Sequence, residues 1–486
     1  MTMQHAILIM AHKDIPLLCK IVEYFSHHCD VFIHIDQKTL LSSADKERLN
    51  SYEQVKLVSQ KFKVFWGGTS VLDCEMYLLH EAFEHSDAQY FHLISGQDYP
   101  VRPLQTFLDF FASQPEKEYI QYVHLPHPKW EKNTFRRLQY YYPYDYVEGK
   151  DNPREWIKGQ VREQCKRGVK RPIPDEFDHL YGSSQWFSIT RRAAQALLEY
   201  TSQQPSLYRR VWMTFAPEEC YVATVLVNLL REENVVSDNH RLIRWQYENG
   251  NRPANLGIEH FPNLLEHQYF FARKMDRRCS PNLIRLIDEH LLQEPEVCQL
   301  PTGGWIYNGF LKYEIEAAFS RFILQFWWEA DIKTGVDMGC GAGYYVAKWR
   351  SHGLSIAGYD ANPNTPALSQ ILLSQEDTPC EVADLTEKLD IVEPFDLVIC
   401  KDVLPYIPQK KMSACLHNLA QLSSRLILLS WEVTETAKEL ILQKIDEEYL
   451  DANLKKEGFA LEKYLTAKLR AALKRNNCAF YIKRDI

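Results

Sequence analysis

Thr334–Tyr345 reads T-G-V-D-M-G-C-G-A-G-Y-Y. Thr334 to Met338 is a short apolar run of the kind that forms a buried strand. Gly339, Gly341 and Gly343 follow as a turn, and Val346, Ala347 and Trp349 open a helical pattern. Strand, glycine turn and helix in that order bring backbone N–H groups and a helix N-terminus against a ligand, because glycine has no Cβ to hold the ligand away. One strand later, Leu354–Tyr359 is followed by Asp360, placed where an acid accepts bonds from a ribose diol. The expectation is an α/β domain for a nucleotide-type ligand that begins near residue 304.

A chain of 486 residues is too long for one ordinary domain, so two or three are expected. Its 45% apolar and 25% charged residues suit a soluble globular protein with a sizeable core. A net charge of −8 argues against nucleic acid as the partner of the whole chain. The 27 Tyr and 11 Trp are a weak pointer to stacking on sugars or nucleobases. The 12 cysteines form no C-x-x-C pair, and Cys220, Cys340 and Cys400 fall in apolar runs, so they read as reduced core residues and not as a disulfide framework or a zinc site. The opening M-T-M-Q-H-A-I-L-I-M lacks a basic region before its apolar run and reads as a first strand. No apolar run approaches the ~18 residues a membrane span needs. The expectation is a cytoplasmic protein, free or peripheral to the inner face of a membrane.

Ala6–Met10 and Val31–Ile35 read as strands around a helix at Pro16–Phe25, with further strands at Val55–Val58 and Phe91–Ile94 and helices at Leu72–Glu84 and Ala193–Tyr200. This alternation predicts an α/β sandwich whose ligand loops lie at the C-terminal strand ends. The loops so placed are H-I-D-Q-K (34–38), W-G-G-T-S (66–70), S-G-Q-D-Y-P (95–100) and F-A-P-E-E-C-Y (215–221). Singly, each has an ordinary explanation. Asp36 and Asp98 can cap turns, Gly67-Gly68 can be a plain turn, and Glu218-Glu219 can be a solvated helix start.

Taken in order, A-H-K-D, H-I-D, W-G-G-T-S, L-I-S-G-Q-D-Y-P, Y-G-S-S-Q-W-F, A-P-E-E and F-A-R-K-M-D resemble the core-2/I-branching β-1,6-N-acetylglucosaminyltransferase and peptide O-xylosyltransferase family, over about residues 3–290. The resemblance implies a GT-A-like fold, a UDP-sugar donor carrying GlcNAc or xylose, and inversion at the anomeric carbon. Inverting transfer needs one base for the acceptor hydroxyl. The family's base falls on Glu219, with an ordinary helix-start acid as the alternative, and Glu218 stands where the family often has Asp and positions the neighbouring chain. No D-x-D occurs in the chain, and the resemblance implies a metal-independent enzyme that meets the leaving diphosphate with basic side chains. Lys274 matches the phosphate lysine, with Arg252 as its expected partner and Arg273 as the alternative. His12, Asp36, Trp66 and Asp98 are donor-pocket candidates, and Tyr181–Trp186 is the expected floor. Arg136 and Arg137 lie where the family contacts its acceptor, a glycan or lipid-linked glycan. Trp245 either stacks on an acceptor ring or is an ordinary buried tryptophan. The basic stretch Lys158–Arg171 is either a solvated loop or a surface that attracts anionic lipid or a pyrophosphate-linked acceptor.

The segment Leu291–Thr302 lacks periodicity and holds two prolines, so the expected division is a first domain 1–291, a linker 292–303 and a second domain 304–486. The glycine turn is G-x-G-x-G and not G-x-G-x-x-G, a poor match to a nicotinamide dinucleotide site. With Asp337 before it, it resembles motif I of class I S-adenosylmethionine-dependent methyltransferases, a Rossmann-like fold. The resemblance gives Gly339, Gly341 and Gly343 the cofactor's amino-acid part, Asp360 the ribose and Asp384 the adenine. Phe395–Pro408 matches the fourth strand and its loop, which brings Asp402 to the pocket. Where related enzymes often carry E-H-I-P this chain has P-Y-I-P, so Tyr406 and Asp402 are the candidate bases, with proximity alone as the alternative. The reading is a bifunctional enzyme that transfers a sugar and methylates the glycan. Its alternatives are a methyltransferase with a non-catalytic glycan-binding module and a glycosyltransferase with an inactive methyltransferase-like scaffold.

Overall fold

The computed structural model describes residues 3–128, 135–230, 232–311, 315–374, 376–391, 393–433 and 441–484. The chain forms two compact units, Met1–Ile258 with Tyr269–Arg285, and Glu259–Gln268 with Leu286–Ile486.

The strands of the first unit are β1 (His5–Ala11), β2 (Cys29–Ile35), β3 (Val55–Ser59), β4 (Tyr90–Ser95), β5 (Tyr99–Pro100), β6 (Glu118–His124), β7 (Tyr181–Thr190), β8 (Val235–Val236), β9 (Arg241–Ile243) and β10 (Phe271–Arg273). Seven of them make one sheet in the order β3-β2-β1-β4-β7-β6-β8, and β5-β10-β9 make a small second one. β1, β2, β3 and β4 run parallel, while β7 is antiparallel to β4 and β6. Ala6, Ile7, Leu8 and Ile9 are all fully buried, as in a strand covered on both faces, so β1 reads as an unbroken apolar run rather than an alternation. β2 leaves β1 to one side and β4 lies on the other, so the strand order reverses at β1, and the crevice beyond its C-terminal end is the position for a ligand.

Helix Ile15–Phe25 starts with Pro16 in its first turn and with the Asp14 side chain accepting from Leu17 N at 3.3 Å. The helices expected at 72–84 and 193–200 span Thr69–His85 and Arg191–Gln203, the latter extended to its Thr190 cap, whose hydroxyl accepts from Ala193 N. Helix Ser43–Asn50, capped by Ser42, was not expected from the sequence. Only Leu49 of it is buried, so it carries no apolar period.

The second unit holds a ribbon of β11 (Val297–Gln299) with β12 (Trp305–Tyr307), and a seven-stranded sheet of β13 (Gly335–Met338), β14 (Ile356–Asp360), β15 (Glu381–Val382), β16 (Phe395–Lys401), β17 (Ser423–Ser430), β18 (Phe459–Leu461) and β19 (Cys478–Lys483). The sheet order is β15-β14-β13-β16-β17-β19-β18, with β19 antiparallel to both neighbours. Leu397, Ile399, Leu426, Leu428 and Phe480 join one buried cluster, and Val398, Cys400, Ile427, Leu429 and Tyr481 join the other, so successive residues of each strand serve opposite faces. The order reverses at β13, between β14 and β16, and the glycine turn follows β13. The units divide within helix Pro281–His290, and Glu259–Gln268 belongs to the second because fully buried Phe261 packs edge-on against Phe310 at 5.4 Å. Residues 292–303, expected as a linker, contain β11 and belong to that unit as well.

Candidate functional site

In the first unit, two loops meet at the start of helix Glu218–Leu229. Ala216 N donates to Gly67 O at 3.0 Å. A Cβ on Gly67 would sit 2.7 Å from the Phe215 ring, and one on Gly68 would fall onto the Asp145 carboxylate. W-G-G is therefore a sequence for close approach. Asp145 in turn accepts from Thr69 N at 2.8 Å and Ser70 N at 3.2 Å and closes the open N-terminus of helix Thr69–His85. Trp66 stands out from this junction, 65% exposed, held edge-on by Tyr144 and Phe215 at 5.8 and 5.4 Å. It lines a cavity of about 350 Å³ with Lys38, Tyr144, Asn152 and Arg154.

Arg137 Nη1 donates to Glu219 Oε2 at 2.6 Å, and its guanidinium packs on Phe215 at 4.8 Å. Glu219 Oε1 has no hydrogen-bond partner among the described residues, so one oxygen is anchored and the other is available. Arg136, one residue earlier, is exposed. Glu218 is buried with Oε2 unpartnered, and burial, reinforced by Glu219 and Asp145 and opposed by Arg137, pushes its carboxyl up to about 8.

A second cluster lies beyond β1, β4 and β10. Arg273 Nη1 donates to Asp98 Oδ2 at 3.0 Å and to the Ser95 hydroxyl, and its guanidinium lies 4.2 Å over Trp186. Asp98 is wholly buried, with Oδ1 lacking a hydrogen bond and Arg241 Nε 3.9 Å away. Beside Arg273, Lys274 has no carboxylate partner among the described residues, and burial, with Arg273 and Lys13 nearby, lowers its ammonium to about 8. Lys13 pairs with Asp276 at 3.0 Å. The His12 imidazole is held below its usual range by burial and by Lys13, Lys274 and Arg273. Asp36 joins two loops, accepting from Lys38 N at 3.0 Å and from Val64 N, beyond β3, at 3.3 Å, and its charge opposes the lowering of the His12 imidazole. The structure therefore brings His12, Asp98, Arg273 and Lys274 together. Lys13 joins them, although nothing in A-H-K-D singled it out from His12.

Arg252 lies two residues from Ala254, whose carbonyl accepts from Lys274 N at 3.3 Å. The arginine is exposed, donates through Nε to Trp245 O at 3.0 Å, and is not among the charges acting on Lys274. Trp245 is 58% exposed, so it is not a buried core residue. The segment Tyr181–Trp186, the expected floor, opens β7. Tyr181 N donates to Thr224 of helix Glu218–Leu229, and Trp186 carries Arg273. The basic stretch is mostly helix, Pro153–Lys166, in which Lys158 pairs with Glu155 at 2.6 Å, and Arg167, at its C-terminal cap, pairs with Glu163 at 2.7 Å. Arg171 turns inward and donates to Tyr140 O, Trp212 O and the Thr214 hydroxyl. Among the described residues, no three His, Cys, Asp or Glu side chains converge as a metal ion would need, and no helix is long and apolar enough to cross a membrane.

In the second unit Gly339, Gly341 and Gly343 have φ of +82°, +62° and +79°. A Cβ on Gly339 would overlap Val403, and one on Gly343 would sit 2.8 Å from both Cys380 Sγ and Ser369 Cβ, so these positions exclude any side chain. Asp360 Oδ2 accepts from Gly341 N at 2.8 Å and Oδ1 from Asn362 N at 2.9 Å, which fixes the turn to the end of β14. Asp384 accepts from Thr386 N and Oγ1, each at 2.8 Å. Asp337 is 3% exposed with Oδ1 unpartnered. A glycine cradle above an orphaned buried carboxylate fits a ligand with a cationic amino acid end, the donor set S-adenosylmethionine requires.

The two candidate bases fare differently. The Tyr406 hydroxyl is raised to about 12 by burial and by Asp402, and its ring packs on Trp305 at 4.6 Å, so no phenolate is available at neutral pH. Asp402, with φ +58°, accepts from Glu432 N at 2.8 Å and from the Ser430 hydroxyl and pairs with Lys401. Burial would raise its carboxyl, but Lys401 and Arg475 more than offset that and hold it below its usual range. It organises the ends of β16 and β17 rather than offering a free oxygen. Glu316 joins the same network through Arg475 at 3.0 Å, a link that no local sequence pattern announces.

A family model for core-2/I-branching enzymes matches residues 6–265, and one for a methyltransferase domain matches residues 336–424. Xylosyltransferase 2 of Homo sapiens is 23% identical over 315 residues, covering 58% of this chain and 32% of the relative, and xylosyltransferase 1 of Mus musculus is 23% identical over 308 residues, covering 58% and 29%. The chain thus spans about a third of the length of the curated relatives it matches. Among solved structures, magnesium protoporphyrin IX methyltransferase of Synechocystis PCC 6803 with bound SAM aligns at 19% identity over 36% of this chain and 86% of its own, with a TM-score of 0.27. The amino pentose methyltransferase CalS10 of Micromonospora echinaspora aligns at 12% identity over 35% and 93%, with a TM-score of 0.28.

Proposed function

The chain belongs to the core-2/I-branching enzyme family, and from that membership we propose that its first unit transfers a sugar, GlcNAc or xylose, from a UDP donor to a hydroxyl of a glycan or lipid-linked glycan. The observation that carries the reading is Lys274, an ammonium without a carboxylate partner among the described residues, beside Arg273 at the end of β10, the middle strand of the small sheet. Such a charge is held ready for an anion from outside the chain, and a diphosphate leaving group is an anion of the right kind. In this reading Glu219 Oε1 takes the acceptor's proton while Oε2 stays on Arg137. The acceptor oxygen bonds to the anomeric carbon on the face opposite UDP, and the carbon–oxygen bond to UDP breaks with its electrons going to the phosphate. Lys274 and Arg273 then meet the released charge. Trp66 and Trp245, both exposed, suit stacking on sugar rings.

The second unit carries a methyltransferase domain, and we infer that it methylates the same class of glycan. S-adenosylmethionine supplies an electrophilic methyl on a sulfonium. Gly339, Gly341 and Gly343 admit its amino-acid part, and Asp337, Asp360 and Asp384 are the acids available to its cationic amine, ribose and adenine. With neither Tyr406 nor Asp402 free as a base, proximity at the ends of β16 and β17 supports the transfer.

The test is UDP release from UDP-xylose and UDP-GlcNAc with glycan acceptors in the presence of EDTA. Glu219→Gln should cut release at least about 1,000-fold and leave S-adenosylmethionine binding unchanged. Release by the wild type with no acceptor in a broad panel would sink the transferase reading, and full activity of Glu219→Gln would sink the role of the base.

A further inference from the structure

Two further acids stand behind Glu219, and the chemistry above uses neither. Glu75 lies in helix Thr69–His85 and is 1% exposed. Neither of its carboxyl oxygens has a hydrogen-bond partner. Gln185 faces it, yet the Gln185 amide donates to the Met10 sulfur at 3.4 Å, without normal hydrogen-bond geometry to Glu75. Glu218 faces Glu75 from the start of helix Glu218–Leu229, and its Oε2 is likewise buried and unpartnered. The charged groups around Glu218 are Glu75, Asp145, Arg137 and its neighbour Glu219.

These four carboxyls divide into two kinds. Asp145 is satisfied by Thr69 N, Ser70 N and the Ser70 hydroxyl, and Glu219 by Arg137 at 2.6 Å, so both can bear charge. Both Glu75 oxygens and Glu218 Oε2 are buried without a hydrogen-bond partner. The backbone N–H of Glu218 and the Arg137 guanidinium offset the burial of Glu218 only in part, and like charges adjoin both groups. A buried carboxylate in that position costs several kcal/mol, and the group keeps its proton instead. We propose that Glu218 and Glu75 form an uncharged acid pair that positions the base: while Glu218 is neutral it does not compete for Arg137, and the Arg137–Glu219 bridge keeps Glu219 Oε1 aimed at the acceptor. Burial of Glu75, with Glu218 beside it, lifts its carboxyl well above the usual range, so Glu75 stays neutral while Glu218 ionises near pH 8. Ionised Glu218 puts a second anion within reach of the same guanidinium, and the base loses its fixed orientation. Glu218 is thus a positioning residue that sets the alkaline limit of sugar transfer, and Glu75 is the neutral wall that keeps it dry. This rests on Glu219 acting as proposed above.

Infrared difference spectra of the full chain, recorded between pH 6 and pH 10, test the protonation directly. Carbonyl stretches of neutral carboxylic acid should be present at pH 7, one lost on Glu218→Gln and another on Glu75→Gln, the first also lost in the wild type as pH rises through about 8. Absence of these bands at pH 7 would overturn the proposal whether or not the protein transfers sugar. The pH profile of UDP release tests the consequence. Lys274 also loses its charge near pH 8 and does so in both proteins, so the readout is the ratio of Glu218→Gln to wild-type kcat. That ratio should lie within about twofold of one at pH 7 and rise about tenfold by pH 9, as set by a group ionising near 8, while Glu75→Gln should retain activity. A ratio that stays flat with pH, or a folded Glu218→Gln without activity at pH 7, would overturn the positioning role. Failure of the wild type to release UDP with bands intact would count against the transferase reading and not against the acid pair.

Discussion

Replacing Asp337 by asparagine separates what the second unit needs in order to fold from what it needs for its cofactor. Asp337 is 3% exposed and its Oδ1 has no partner. Burial pushes its carboxyl to about 7, with Lys401 opposing the rise and Asp360 adding to it. In an unfolded chain the same group titrates near 3.9. The native state therefore holds the proton to higher pH than the unfolded state does. Folding carries no penalty below about pH 4, grows weaker through the window between about 4 and 7, and bears the whole penalty above it. At about 1.36 kcal/mol per pH unit, roughly three units amount to about 4 kcal/mol, an upper bound because the interior relaxes around a charge. Asparagine has nearly the same shape and no such titration. Without S-adenosylmethionine, Asp337→Asn should make the second unit about 2–4 kcal/mol more stable than wild type at pH 8 and about equal at pH 4.5. With saturating S-adenosylmethionine that advantage should shrink by about 1.4 kcal/mol for each tenfold loss of affinity, and the variant should bind at least about tenfold more weakly. Urea unfolding of the full chain at both pH values measures this, the second unit's transition being the one S-adenosylmethionine shifts in the wild type. A variant less stable than wild type at pH 8 without cofactor would show that Asp337 is ionised and satisfied in the folded protein, and the reasoning would fail.

Lys274→Met should weaken UDP binding about 10- to 100-fold by calorimetry, the worth of a charged hydrogen bond. Because the Lys274 ammonium is present below about pH 8 and lost above it, wild-type affinity for UDP should fall between pH 7 and pH 9.5, and Lys274→Met should show no such fall. Gly343→Ala forces a side chain onto φ +79° and against Cys380 and Ser369, a cost of about 2–5 kcal/mol. S-adenosylmethionine binding should disappear while UDP binding stays within about twofold, and retained cofactor binding would show that the turn adapts.

The parts of the fold legible in sequence are those that local physics decides. β1, β2 and β4 are buried on both faces and so appear as apolar runs, and the glycine turn is legible because three positive φ angles and two tight contacts leave no other residue. Helix Ser43–Asn50 buries one residue and leaves no pattern. β11 is short and largely exposed, so the stretch 292–303 looks like a linker although it pairs with β12. The site is legible only in part, because its geometry is non-local. Arg137 and Glu219 are 82 residues apart and Glu316 and Arg475 159 apart. Glu75 looks like any surface glutamate, since helical spacing alone does not reveal which neighbour covers it. Motif position favoured Arg252 as the partner of Lys274 with Arg273 as the alternative. Arg273, held by Asp98 and Trp186, acts on the Lys274 charge, while the Arg252 segment meets Lys274 through the Ala254 backbone.

The two sites face opposite charge problems, and each meets its own with groups that lack a counter-ion of their own. Around Lys274 the nearby cations are Arg273 and Lys13, and the one adjoining acid, Asp98, is already engaged by Arg273. Around the glycine turn Asp337 keeps one oxygen unpartnered, and the Asp360 carboxyl is raised by burial and by Asp384. A protein counter-ion at either position would have stabilised the empty fold and then had to be displaced by the ligand. Leaving the charge unsatisfied moves that stabilisation to the bound state, where it contributes to affinity. It also separates the ligands. A diphosphate entering the acidic cradle meets repulsion and desolvated carboxyls, and a sulfonium entering the basic cluster meets the reverse. The net charge of −8 is blind to this arrangement. The two ligands proposed for this chain carry opposite charge, and each candidate site offers the sign that its ligand would need.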